Sequence, residues 1–200
     1  MRRRSAVRNP KGFSLLEVLM VVAIVMIVSA IAIPKMGNVI AIMKMRSSMT
    51  TVSSLLQNTR TMAVQQNRTM TARHFNRTTN PQSLIYYVKL AGDSSTLANN
   101  DTQVEMEAPI TPYTTPSGTS APSAIDNTTM GLIADPETGD PSFNSRGLPC
   151  VYSAGTCTTS AFVQYYKDNR VGGSGGWAAI SISPAGRIKR WFWSGLAWSE

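Results

Sequence analysis

From Phe13 to Ile33 the chain reads FSLLEVLMVVAIVMIVSAIAI, an apolar run with few polar interruptions. At about 1.5 Å of rise per residue, a helix of that length crosses a hydrocarbon core of roughly 30 Å. The pattern therefore predicts a membrane-spanning helix over 13–33. Arg2, Arg3, Arg4, Arg8 and Lys11 precede the run with no acid among them, and such basic flanks stay on the cytoplasmic side. The rest of the chain is then sent outward.

Two residues depart from a plain anchor. Glu17 puts a carboxylate into the first turns of the apolar run, where a bare charge is costly and needs a partner or a role. Pro34 ends the run; a helix that continues past it loses one backbone hydrogen bond and should kink there. An Arg-rich start, an apolar stretch and Ala30-Ile31-Ala32 also fit an ordinary secretory signal cleaved after Ala32. Glu17 and the length of the run argue against that alternative.

Beyond Pro34, apolar residues recur at Ile42, Met45, Met49, Val52, Leu56 and Ala63, a three-to-four spacing that predicts an amphipathic helix continuing to about Gln66. TARHFN and SLIYYVKLA then have the β-branched and aromatic content of two strands, with a turn at Asn80-Pro81. From Gly92 to Pro141 the periodicity fades into Asn, Asp, Thr, Ser, Pro and Gly. That stretch reads as a long loop region with one or two short strands, TQVEMEA among them. Order resumes with FNSRGLPC, AFVQYYKD and a Gly-rich joint, GGSGG. The chain closes on a hairpin: strand Trp177–Ser183, turn Pro184-Ala185-Gly186, strand Arg187–Trp193.

Charge changes the picture only once it is located. The formal net charge is +8, but the five basic residues before Gly12 account for most of it. Without them 14 basic residues face 11 acidic ones, a net +3. Global basicity is therefore a weak argument for nucleic acid. What remains is segregated: from Lys35 to Arg77 there is no acid, and from Asp93 to Asp140 there is no base. Opposite blocks can steer subunit packing, or simply mark two differently solvated faces.

Cys150 and Cys157, the only cysteines, bracket CVYSAGTC, whose glycine lets the chain turn back. A short-loop disulfide fits an oxidising compartment, with two buried thiols as the alternative. Two cysteines and one distant histidine, His74, do not make a zinc site, so no metal and no cofactor is expected. There is no HExxH, GxSxG or phosphate loop and no evident carboxylate pair, so the chain is not read as an enzyme.

The N-terminal stretch KGFSLLEVLMVVAIVMIVSAIAIP resembles the leader and first helix of type IV pilins and pseudopilins. The resemblance implies that a prepilin peptidase cuts between Gly12 and Phe13 and methylates the new N-terminus. It implies that Glu17 pairs with the terminal amine of a neighbouring subunit, and that Pro34 kinks the helix. More loosely, the long helix, early hairpin, FNSRGLP and ISISPAGRIKRW resemble the H-type minor pseudopilins of type II secretion and the FimT and FimU minor pilins.

The fold implied is α+β, a long helix packed on an antiparallel sheet. Its parts are a leader over 1–12, a membrane helix over 13–33, an amphipathic continuation over 34–66 and a β-rich extracytoplasmic domain over 67–200. The implied role is a minor subunit of a pilus or secretion pseudopilus in the bacterial inner membrane, partnered by the peptidase and other pilins.

The terminal GRIKR resembles the glycine-arginine motif with which FimT-type pilins of competence systems bind DNA. It makes Arg187, Lys189 and Arg190 candidate DNA contacts, with Lys in place of Arg at one position at the cost of the planar fork. Strand alternation puts Arg187, Lys189, Trp191 and Trp193 on one face and Ile188, Arg190 and Phe192 on the other. Cations beside indoles can hold phosphates and stack bases. The competing reading packs the tryptophans on the helix or on neighbouring subunits and leaves the cations to guard a sheet edge.

Overall fold

The computed structural model describes residues 12, 14–77, 83–94, 96–106, 110–113, 115–116, 121–132, 136–170 and 176–200. The expected turn at Asn80-Pro81 and most of the Gly-rich joint lie outside them, as does Phe13. One helix, α1, spans Leu15–Gln65 and runs through Pro34, which has no N–H to return to the preceding turn. The chain divides into two compact units, 1–39 and 40–200.

In the first unit the helix is exposed nearly all round. Leu15–Ala32 is long and apolar enough to cross a membrane, and none of it is buried within the chain. In the second unit one stripe is buried: Ala41, Met45, Met49, Val52, Leu56, Thr59 and Ala63. This corrects the predicted stripe at its start, because Ile42 is 42% exposed whereas Ala41 is 2% exposed. Thr59 completes the stripe despite its hydroxyl, which donates to the Leu55 carbonyl at 2.8 Å. Asn67, with φ 50°, ends the helix in a left-handed residue, and the Arg68 and Asn67 amides return to the Ala63 and Val64 carbonyls.

Two antiparallel sheets pack against this stripe, where one was expected. The first orders β3 (Gln103–Met106), β2 (Ser83–Leu90), β1 (Met70–Arg77), β5 (Ser142–Phe143), β6 (Pro149–Ser153) and β7 (Thr156–Thr159). The second orders β11 (Trp198–Ser199), β10 (Ile188–Trp193), β9 (Trp177–Ile182), β8 (Phe162–Asp168) and β4 (Ile110–Tyr113). The early and terminal hairpins form as predicted, with Met70 opposite Leu90 and Ile188 opposite Ile182. Met49 and Val52 of the helix share one core cluster with Leu84, Tyr86 and Phe143 of the first sheet and Tyr166, Ala178 and Ile180 of the second. A buried hydroxyl pair, Tyr86 to Tyr166 at 2.7 Å, ties the sheets together.

The middle of the chain is more ordered than its composition predicts. A short helix, α2 (Asn127–Met130), is capped by Asp126, whose carboxylate accepts from the Thr129 amide at 2.5 Å. Ile125, Met130 and Leu132 cover the second sheet on the side away from α1, packing on Val163, Tyr165, Ala179 and Trp191. Strand side chains alternate between faces, and with both faces covered all six residues of β9 are buried. Cys150 and Cys157 form a disulfide across the β6–β7 hairpin, with Cα atoms 5.4 Å apart. Ala154 and Gly155, both at positive φ, make its turn.

Candidate functional site

Two places gather the residues singled out by the sequence. The first is the start of α1. Ser14 is the last residue before the helix, and its carbonyl accepts from the Glu17 and Val18 amides at 3.0 and 3.2 Å. Glu17 follows in the first turn, exposed among exposed Leu15, Leu16, Val18 and Leu19. Among the described residues no cation reaches its carboxylate. In a hydrocarbon environment this charge would need a partner from another chain.

The second place is where the terminal hairpin meets the helix. Gly147, in FNSRGLP, and Gly186, in PAGR, both have positive φ, 75° and 80°. The Arg60 guanidinium lies between them and donates from Nη1 to the Gly186 carbonyl at 3.1 Å. A Cβ on Gly186 would come within 3.0 Å of Arg60 Cζ and 3.1 Å of the Gly147 carbonyl; one on Gly147 would come within 3.1 Å of Arg60 Nε. Each turn is shaped by its own side chain. The Asn144 Oδ1 accepts from the Arg146 and Leu148 amides, and the Ser183 Oγ accepts from the Arg187 amide.

The candidate DNA contacts are not gathered on one surface. Arg187 is exposed and borders, with Lys189, a cavity of about 210 Å³ that also meets Thr128, Thr129, Ser181 and Ser183. Lys189 is engaged in an ion pair with Glu200, and its Nζ sits 5.0 Å from the centre of the Trp191 ring. The hydrogen bond from Lys189 holds the Glu200 carboxyl below its usual range. Arg190 points to the opposite face and donates to the Thr50 hydroxyl of α1 at 2.8 Å.

The alternation along β10 is as predicted, but the tryptophan face is not a stacking platform. Trp191 is buried under the 125–132 segment, with its indole N–H on Ser181 at 2.9 Å, and Trp193 meets Trp198 edge-on at 5.4 Å. Nor do these rings pack on α1; on that side are Ile188 and Phe192, with Arg46 5.3 Å above the Phe192 ring.

Residues 7–33 match the family model of the prokaryotic N-terminal methylation motif. That marks a type IV pilin-like protein. No curated protein and no solved structure matches the chain. The motif implies processing by a prepilin peptidase and assembly with other pilins, and it coincides with the segment whose apolar side chains find no cover within the chain. The pilin-like architecture, an apolar helix leading into a long helix on antiparallel sheets, agrees with it.

His74, the single histidine, is satisfied rather than poised. Its Nδ1 lies 2.5 Å from Asp140 Oδ1, and that hydrogen bond, against partial burial, raises the imidazole above its ordinary value. Arg60 and its two glycines are the cluster that sequence reasoning passed over. Their signal was the Arg-Gly pair of FNSRGLP and the Gly-Arg pair of GRIKR, motifs read for their family resemblance and for DNA and not for a contact with the helix.

Proposed function

We propose that this type IV pilin-like chain is a minor subunit of a type IV pilus or of a type II secretion pseudopilus. In this reading it enters the inner membrane as a single-pass precursor, loses residues 1–12 by cleavage before Phe13, and is methylated there. It joins the filament through its apolar helix and acts by assembly rather than catalysis. The observation that carries the reading is Glu17, a lone carboxylate within the methylation motif on a helix otherwise exposed and apolar. A neighbour's terminal amine would supply the missing partner. DNA uptake through Arg187, Lys189 and Arg190 draws less support, since Lys189 and Arg190 are engaged on opposite faces of the hairpin.

The test is Glu17→Ala in the full chain. Membrane insertion should be unchanged or improved, because a costly charge is gone, while incorporation into the filament should fall. Normal incorporation of the variant would remove the role assigned to Glu17.

A further inference from the structure

Internal pairing accounts for most of the carboxylates described in the folded domain. Glu105 pairs with Arg77, Asp101 with Lys89, Asp140 with His74, Asp168 with Arg170 and Glu200 with Lys189, while Asp126 caps α2. Among the described residues of the domain, that leaves Asp93 and Glu137 as the carboxylates without a partner. Both are exposed. They border one cleft of about 350 Å³, Glu137 in its lining and Asp93 next to the lining residue Gly92, with Asp140 in the same wall. Arg73 is the one cation in that lining, against Glu137 and Asp140, and its Nη2 is already on the Asp93 carbonyl at 3.2 Å.

Of the arginines without an acid in hydrogen-bond reach, three come together at the junction of the two turns. Arg146 and Arg187 are the chain neighbours of Gly147 and Gly186, whose backbones meet over Arg60. Both are exposed, and Arg146 has no acid beside it among the described residues. This junction sits on α1, whereas the cleft is lined by Thr71 and Arg73, which alternate with the core-facing Met70 and Ala72 and so lie on the side of the first sheet away from the helix. The domain thus carries an excess of acid at the cleft, around Arg73, and an excess of base at the junction, where Glu200 acts on Arg187 electrostatically while its ion pair is with Lys189.

We propose that the Arg60–Arg146–Arg187 junction of one copy docks onto the Asp93–Glu137 cleft of a second copy of this chain. Such a contact joins two different patches. It is heterologous, so it continues from copy to copy, as a ring or an open row, instead of closing a two-fold dimer. Arg60 is held by Gly147 and Gly186 and positions the two turns; Arg146 and Arg187 meet the carboxylates. The inference rests on the filament-subunit reading but not on Glu17 or the apolar helix, so the two can fail separately.

The experiment uses the full chain in membranes, carrying Arg146→Cys together with Glu137→Cys, and mild oxidation. A ladder of dimers, trimers and larger species is expected from the pair, and none from either single variant. In a second arm, with a chemical cross-linker and no added cysteines, Arg146→Glu with Arg187→Glu should reduce the ladder by about tenfold or more through like-charge repulsion, and adding Asp93→Lys with Glu137→Lys should restore it. The Cys150–Cys157 disulfide and membrane level report folding, and the N-terminal mass reports whether the filament reading itself stands.

No ladder from the cysteine pair, dimers from a single cysteine variant, or no rescue by the reversed charges would each overturn the proposal. So would loss of duplex DNA retention in the Arg→Glu variant with an undiminished ladder, which would give the arginines to nucleic acid.

Discussion

Residues 15–32 and residues 41–63 lie on one continuous helix, but they are built for different surroundings. The first segment is apolar on every side and buries nothing within the chain. The second keeps one stripe, from Ala41 to Ala63, against two sheets and turns polar residues outward. A helix apolar all round needs a solvent or partners of its own, whereas an amphipathic one needs a core. The same secondary structure therefore does two jobs, and the boundary lies near the division between the two compact units.

The sharpest way to break this comparison is to remove the same kind of group from each segment. Met49→Ala empties a fully buried site between the sheets and should cost the domain about 2 to 5 kcal/mol. Val21→Ala, on the exposed segment, should change domain stability by no more than about 0.5 kcal/mol. Thermal unfolding of the full chain in detergent measures both, and equal effects would mean that the two segments do not differ as described.

A smaller effect tests how the domain grips the second segment. Gly186→Ala forces a Cβ against Arg60 and the Gly147 carbonyl at positive φ, and should destabilise the domain by about 1 to 3 kcal/mol in the same melts. No change would mean that the two turns do not hold the helix.

The smallest effect is a pH dependence confined to the domain. The folded-state pKa of His74 is raised above 6.5, chiefly by its bond to Asp140. Its contribution is therefore fully present below about pH 6.5 and is lost as pH rises through the raised value. Domain stability should fall slightly over that window, and His74→Gln should flatten the profile. An unchanged profile in the variant would assign the slope to another group.

Much of this was legible because it is local. The exposed apolar run, the Met45–Ala63 stripe, the early hairpin, the terminal hairpin and the alternation along β10 all follow from spacing within one element or hairpin. Reading the stripe from apolar residues alone picked Ile42 over Ala41 and passed over Thr59, since a small residue and a back-bonded hydroxyl can both face a core. The division into two sheets and the cover provided by Ile125, Met130 and Leu132 are long-range. Nothing between Gly92 and Pro141 has a period that shows which strand it covers. For the same reason the burial of Trp191 was hidden: its partner segment is some sixty residues away in the sequence. Glu17 stood out because its cost depends only on the apolar run around it. Arg60 did not, because its partners are two glycines in other loops.

The central claim is that the first segment belongs to a processed, polymerising helix and is not a disposable export signal. Mass spectrometry of the mature chain after co-expression with a prepilin peptidase tests it most directly. The account predicts an N-terminus at methylated Phe13, with the apolar helix retained. A mature chain beginning at Ile33 would contradict it, because the segment set against the domain helix would then have been an ordinary secretory signal.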